Sequence, residues 1–111
     1  EEFSAQLGKK VVLVEFTADW CPNCKFVERT VLTDQTVSSL KNKADVSLFR
    51  ADLTQANAVA TYLLTELGSH SIPLTAIFPK GDKAHSPVVL RDVYGTDLLK
   101  RSFDLALSQS H

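Results

Sequence analysis

Cys21 and Cys24 are the only cysteines of this chain, and two residues, Pro22 and Asn23, separate them. A pair at this spacing can do thiol–disulfide exchange: one thiolate attacks a disulfide sulfur, and the second thiol releases the mixed disulfide. The alternatives are metal ligation and an inert structural disulfide. A structural zinc site normally takes four Cys or His ligands at characteristic spacings, and His70, His85 and His111 each stand alone in sequence. No metal is therefore expected. An inert bridge would waste its position, because the pair falls where a strand hands over to a helix. The run Val11-Val12-Leu13-Val14-Glu15-Phe16 is β-branched and apolar, as a buried strand should be, and beyond Pro22 the residues Cys24, Val27 and Val31 recur at helical spacing. At a helix entrance, unpaired backbone N–H groups and the positive end of the dipole favour a thiolate. Cys21 is thus expected to be the exposed nucleophile, and Cys24, one turn inside, the buried resolving thiol. Thiols in such motifs titrate between roughly 3.5 and 7.5. Asn23 adds a polar group without positive charge, so neither an extreme oxidant nor the strongest reductant is expected.

The elements that must hold this pair are legible in the pattern around it. A short helix over about residues 3–7 ends at Gly8, and the first strand occupies 11–17. A helix starts at Pro22, whose missing N–H costs nothing there, and runs to about Thr30. Val31-Leu32-Thr33-Asp34 interrupts it, and Thr33 or Asp34 caps a second piece reaching Lys43. A strand over 46–52 follows. Thr54 is expected to cap a helix with apolar positions Ala56, Val59, Ala60, Leu63, Leu64 and Leu67, ended by Gly68. Strands over 74–78 and about 87–91 flank a turn at 79–83, and Thr96 is expected to cap a last helix carrying Leu98, Leu99, Phe103, Ala106 and Leu107. Phe26, Phe49, Phe78 and Phe103 read as core. The order β-α-β-α-β-β-α implies a parallel first pair, an antiparallel hairpin near the end, and helices on both faces of a small mixed sheet.

The bulk numbers fit one domain of 111 residues. Composition is ordinary for a globular chain at 44% hydrophobic and 23% charged, and a formal charge of −1 gives no electrostatic case for nucleic acid or an anionic membrane. No apolar run approaches the roughly 18–20 residues that span a bilayer. The chain opens on Glu1-Glu2-Phe3 without Met, so a fragment of a longer precursor is expected.

With those elements in place, Phe16-Thr17-Ala18-Asp19-Trp20-Cys21-Pro22-Asn23-Cys24-Lys25 resembles the active-site segment of the thioredoxin superfamily. Ser71-Ile72-Pro73 before an apolar strand resembles its cis-proline loop, and Tyr94-Gly95 before the last helix matches as well. The resemblance covers about residues 8–107 and implies a thioredoxin-like three-layer α/β/α sandwich with a small mixed central sheet. Ala18-Asp19-Trp20-Cys21, the broken first helix and Ala51-Asp52-Leu53-Thr54 look more narrowly like the carboxy-terminal domain of the bacterial thiol:disulfide interchange proteins, DsbD. That branch implies a periplasmic or exported domain that takes electrons from a membrane domain of the same precursor and passes them to another thiol protein; the alternative is the cytoplasm, where a dithiol of this kind also serves. It also implies a monomer that needs no cofactor beyond its dithiol. Two residues depart from ordinary thioredoxins: Pro22-Asn23 replaces Gly-Pro, which bears on the redox potential, and Leu74 stands where Thr is common, which bears on the partner groove.

The resemblance also assigns roles beyond the cysteines. Glu15 interrupts the apolar first strand where thioredoxins carry a buried carboxylate, which suits a proton acceptor for Cys24; otherwise it is a solvent-facing or lysine-paired strand-end residue. Glu28 lies four residues beyond Cys24 and so on the same helical face, where the interchange branch has an acidic residue that modulates the pair; otherwise it is a solvated helix charge. Pro73 is expected to follow a cis bond, with Ile72 offering its backbone to an extended partner segment. Trp20, beside the nucleophile, is expected in the docking surface. Lys25 and Arg50 either add positive potential or are plain surface charges. The function that follows is protein-disulfide reduction or electron relay. A freestanding oxidant or isomerase, and a thioredoxin-fold binding module with an idle dithiol, are the competing readings.

Overall fold

Every residue of the first strand is buried, and the rest of the architecture is arranged around that strand. The computed structural model describes residues 2–110. In chain order the elements are α1 (Glu2–Gln6), β1 (Val11–Thr17), α2 (Pro22–Thr30), α3 (Asp34–Lys43), β2 (Val46–Asp52), α4 (Ala58–Glu66), β3 (Leu74–Phe78), β4 (Val88–Arg91) and α5 (Thr96–Ser108). The sheet order is β2-β1-β3-β4. β1 pairs parallel with β2 and antiparallel with β3, and β3 pairs antiparallel with β4. The mixed sheet expected from the element order is therefore present.

Strand alternation sorts β1 into two faces. Val11 and Leu13 pack with Val27, Val31, Leu40, Leu99 and Phe103, which come from the α2, α3 and α5 side. Val12, Val14 and Phe16 pack with Leu64 of α4 and Phe78, joined by Phe3 of α1. The result is three layers, helices on each side of the sheet. Phe3 closes the second face with edge-on contacts to Phe49 and Phe78, ring centroids 6.2 and 5.1 Å apart.

Several local expectations give way to different solutions. The helix after β2 starts at Ala58, capped by the Asn57 side chain on the Ala60 N–H, and not at Thr54. Thr54 is engaged elsewhere: its N–H and hydroxyl both donate to Asp52 Oδ1, at 2.8 and 2.5 Å, which holds residues 52–54 as an Asx turn. Val59 points outward, 72% exposed, while Ala60 and Leu64 face the core. α5 begins at Thr96 as expected in position, yet Gly95 is its N-cap and no side chain closes it. Leu98 of that helix is 41% exposed. Phe26 is not core: it is 52% exposed, because the buried stripe of α2 runs through Cys24 and Val27 and a residue beside Val27 points about 100° away. The break after α2 is as expected, with the Thr33 hydroxyl accepting the Thr36 N–H at 3.3 Å as the cap of α3.

Candidate functional site: a dithiol beside a carboxyl pair

β1 ends at Thr17, and four residues later the chain enters α2 through Cys21, its N-cap. The Cys21 backbone is extended while its sulfur accepts the Cys24 N–H at 3.1 Å. Cys21 and Cys24 are joined in a disulfide with Cα atoms 5.3 Å apart. The order of exposure is the expected one, with Cys24 fully buried and Cys21 at its edge, but Cys21 is only 6% exposed and thus less open than a free nucleophile was expected to be. The cause is its packing: Ala18, Leu53 and Ile72 close around the two sulfurs.

Ile72 belongs to the loop after α4, and the Ile72–Pro73 peptide is cis. That loop is pinned by the Ser69 hydroxyl, which donates to the Ser71 carbonyl at 3.1 Å, and by the Asp92 N–H on the Pro73 carbonyl at 2.9 Å. Trp20 stands 62% exposed beside Cys21. The loop that carries it is tied to the end of β2, where the Asp19 N–H donates to the Thr54 hydroxyl at 2.8 Å. Trp20, Cys21, Ile72 and Pro73 therefore gather at one end of the sheet.

Beneath the dithiol lies a polar cluster on the α2 side of the sheet. Glu15 is 7% exposed and Thr17 2%. Glu15 is neither solvent-facing nor lysine-paired: Arg50, its register partner on β2, donates Nε to its Oε1 at 3.2 Å. Glu15 and Glu28 act on one another's protonation, so the two carboxyls form a pair that reaches α2 one turn beyond Cys24. Burial, then the hydrogen bond and negative charge of Glu28, push the Glu15 carboxyl up to about 7, with Arg50 opposing. Glu28 goes the other way. Partial burial pushes it up, but hydrogen bonds from Glu15 and Thr17 and the charge of Lys25 outweigh that, and its carboxyl lies below the ordinary value. Two acids whose environments drive them apart are the usual signature of an assigned proton donor and an assigned anion. Glu15 also lines a cavity of about 250 Å³ with Arg50, Leu32, Val37 and Leu48.

Lys25 is no plain surface charge either, since its Nζ sits 3.5 Å from both Asp19 Oδ1 and Glu28 Oε1. His111 lies outside the described residues, and among the described residues no group of three or more His, Cys, Asp and Glu is placed to hold a metal ion. The sequence did not single out Thr17, whose hydroxyl donates to Glu28 Oε2 at 2.6 Å. A signal for it existed: Glu15 and Thr17 are two polar residues at strand spacing in an otherwise apolar run, and so share one face.

Known proteins resemble this chain in sequence and in fold. The chain is 34% identical over 98 residues to the thiol:disulfide interchange protein DsbD 1 of Pseudomonas aeruginosa, a match covering 87% of this chain and 16% of that protein. It is also 34% identical over 86 residues to thioredoxin H3 of Arabidopsis thaliana, covering 78% and 64% of the two chains. The chain thus spans about a sixth of the length of the Pseudomonas DsbD relatives. In fold it superposes on the oxidised DsbD C-terminal domain of Neisseria meningitidis with a TM-score of 0.70 at 20% identity, over 95% of this chain and 87% of that one. A CxxC disulfide at a helix entrance in this fold is the chemical equipment of a disulfide oxidoreductase. The thioredoxin-like family profile matches residues 3–80, well over half the chain, and the protein belongs to the thioredoxin-like family.

Proposed function

We propose that this chain is a thiol–disulfide oxidoreductase that reduces disulfides of partner proteins, acting as the relay domain of a longer exported bacterial protein. The observation that carries the reading is the Cys21–Cys24 disulfide at the start of α2, with the Cys24 N–H aimed at the Cys21 sulfur. In the reduced protein the same N–H and the helix entrance stabilise a Cys21 thiolate. That thiolate attacks one sulfur of a partner disulfide, the partner bond breaks, and the partner's other sulfur leaves as a thiolate. Cys24 then gives up its proton and attacks the Cys21 sulfur. This closes the Cys21–Cys24 bond and releases the partner as a dithiol, with two electrons transferred to it.

The Glu15–Glu28 pair supports the second step. With a carboxyl near 7, Glu15 is a base matched to neutral pH, and Glu28 carries the pair to the helix turn beyond Cys24. Trp20, Ile72 and Pro73 form the docking surface, with an extended partner segment lying along the Ile72 backbone. Electrons arrive through another dithiol, in a membrane domain of the same precursor, and the periplasm is the setting; both points rest on the similarity to DsbD. No additional cofactor takes part.

Trapping tests this directly. In Cys24→Ser the mixed disulfide cannot be resolved, so partners accumulate covalently on Cys21, and reductant releases them. A variant that traps nothing from a periplasmic extract sinks the relay reading. Equilibration with glutathione separates reductase from oxidant: a potential near about −120 mV, the oxidising end of the range, contradicts the reductase assignment.

A further inference from the structure

A carboxyl pair that shares one proton has two tautomers, and something must choose between them. The groups facing the pair can be named element by element. From β2 comes Arg50 on Glu15, and from α2 comes Lys25 on Glu28. Tyr94, ahead of α5, feels the Glu15 charge, and the dithiol sits one turn up α2 from Glu28. Arg50 favours the ionised form of both carboxyls and Lys25 that of Glu28, while burial favours the proton on Glu15. The remaining contact is one-sided: Thr17 Oγ1 to Glu28 Oε2 at 2.6 Å.

That contact has the properties of a selector. Its length lies in the range of a hydroxyl donating to an ionised carboxylate, about 2.5–2.7 Å, below the usual distance for a neutral acceptor. Thr17 is 2% exposed, so water does not compete for the hydroxyl. Its place on β1 is fixed by register with Asp52 and by the Leu53 N–H on its carbonyl at 2.7 Å, and the side chain cannot follow Glu28 elsewhere. With Lys25 on Oε1 and Thr17 on Oε2, both oxygens of Glu28 are engaged by donors.

We propose that Thr17 is a positioning residue: by donating its hydroxyl to Glu28 it holds that carboxylate ionised, and so confines the proton that comes and goes near neutral pH to Glu15, which on losing it becomes the base for Cys24. The value of the pair to the dithiol rests on the exchange reading above. The distribution of the proton does not, and can be measured in the oxidised protein where no exchange occurs.

The experiment is a carboxyl-carbon NMR titration of the disulfide form, labelled at glutamate and assigned with Glu15→Gln and Glu28→Gln. In the wild type the step near pH 7 appears chiefly at the Glu15 carbon. Thr17→Val keeps the shape and deletes the hydroxyl, and it shifts the proton's distribution toward Glu28 by about tenfold, the effect of one hydrogen bond to a charged acceptor. The step then appears at both carbons. Thr17→Ala, equally without a hydroxyl, behaves alike, and Thr17→Ser restores the wild-type pattern. An unchanged distribution in both hydroxyl-free variants, or no restoration by serine, overturns the proposal. With Cys24 intact, the pH profile for Cys24 resolving a mixed disulfide on Cys21 must move in Thr17→Val and return in Thr17→Ser. If the wild type performs no exchange at all, the exchange reading falls while the titration still decides the role of Thr17.

Discussion

The two faces of the central sheet are buried to the same depth and built from different chemistry. On the α1/α4 side, Val12, Val14, Phe16, Leu74, Ala76 and Phe78 form an unbroken apolar surface. On the α2/α5 side, Val11, Leu13 and Ile77 start in the same way, but toward the dithiol the face turns polar with Glu15, Thr17 and Thr75. Thr75 is the register partner of Glu15 on β3, and its hydroxyl hydrogen-bonds the Tyr94 hydroxyl at 2.7 Å. Burial pushes the Tyr94 phenol up to about 12, which keeps it neutral beside Glu15. Every one of these buried polar side chains has a partner, and among the described residues none is left unsatisfied. The lesson is that packing alone dictates the first face, whereas the second gives up apolar burial beside the dithiol.

This contrast can be broken by mutation, and the largest effect lies on the apolar face. Phe78→Ala, far from the dithiol, costs roughly 3–5 kcal/mol of stability by emptying a ring-sized space. It leaves the alkylation rate of Cys21 in the folded protein unchanged. Chemical denaturation and thiol trapping read the two quantities, and a change in alkylation without a loss of stability would reverse the assignment of the faces.

Next in size is Glu15. Its carboxyl is raised from 4.5 to about 7, so the fold binds its proton more tightly than the unfolded chain does. The associated stability is present below about pH 4.5 and is lost as the pH rises through about 7. Between pH 5 and pH 8 the wild type should lose roughly 2–3 kcal/mol relative to Glu15→Gln, which has no proton to lose. Equal denaturation midpoints of the two proteins across that window contradict the buried-acid description. A smaller effect belongs to Thr75→Val, at about 1–2 kcal/mol, because the Tyr94 hydroxyl is left buried without its partner. Tyr94→Phe added to that variant should recover part of the loss. Smallest is Phe26→Gln, within about 0.5 kcal/mol, since the ring is half in solvent.

How much of this was legible beforehand follows the same division. β1, the break between α2 and α3, the parallel and antiparallel pairings and the cis-proline loop are written in runs, caps and local motifs, and they could be read residue by residue. Phe26 and Val59 were misplaced because an apolar side chain near the rim of a helical stripe carries no mark of which side of the rim it occupies. Thr54 was misassigned because the Asx turn on Asp52 competes with capping for the same threonine. In the site, the cysteines follow from spacing and Glu15 from its intrusion into an apolar strand. The hydrogen bond from Thr17 to Glu28 could not be read in that way. It joins residues eleven apart on two elements, and only the docking of α2 on the sheet brings them together.

The interior placement of β1 has a consequence for hydrogen exchange. Flanked by β2 and β3 and covered by helices on both sides, its amides can exchange with deuterated solvent only when the whole molecule opens. The Trp20 turn and the Ser71 side of the proline loop, only a few residues away, are exposed to solvent. The reacting sulfurs thus stand on the first turn of α2, four residues beyond the end of that enclosed strand.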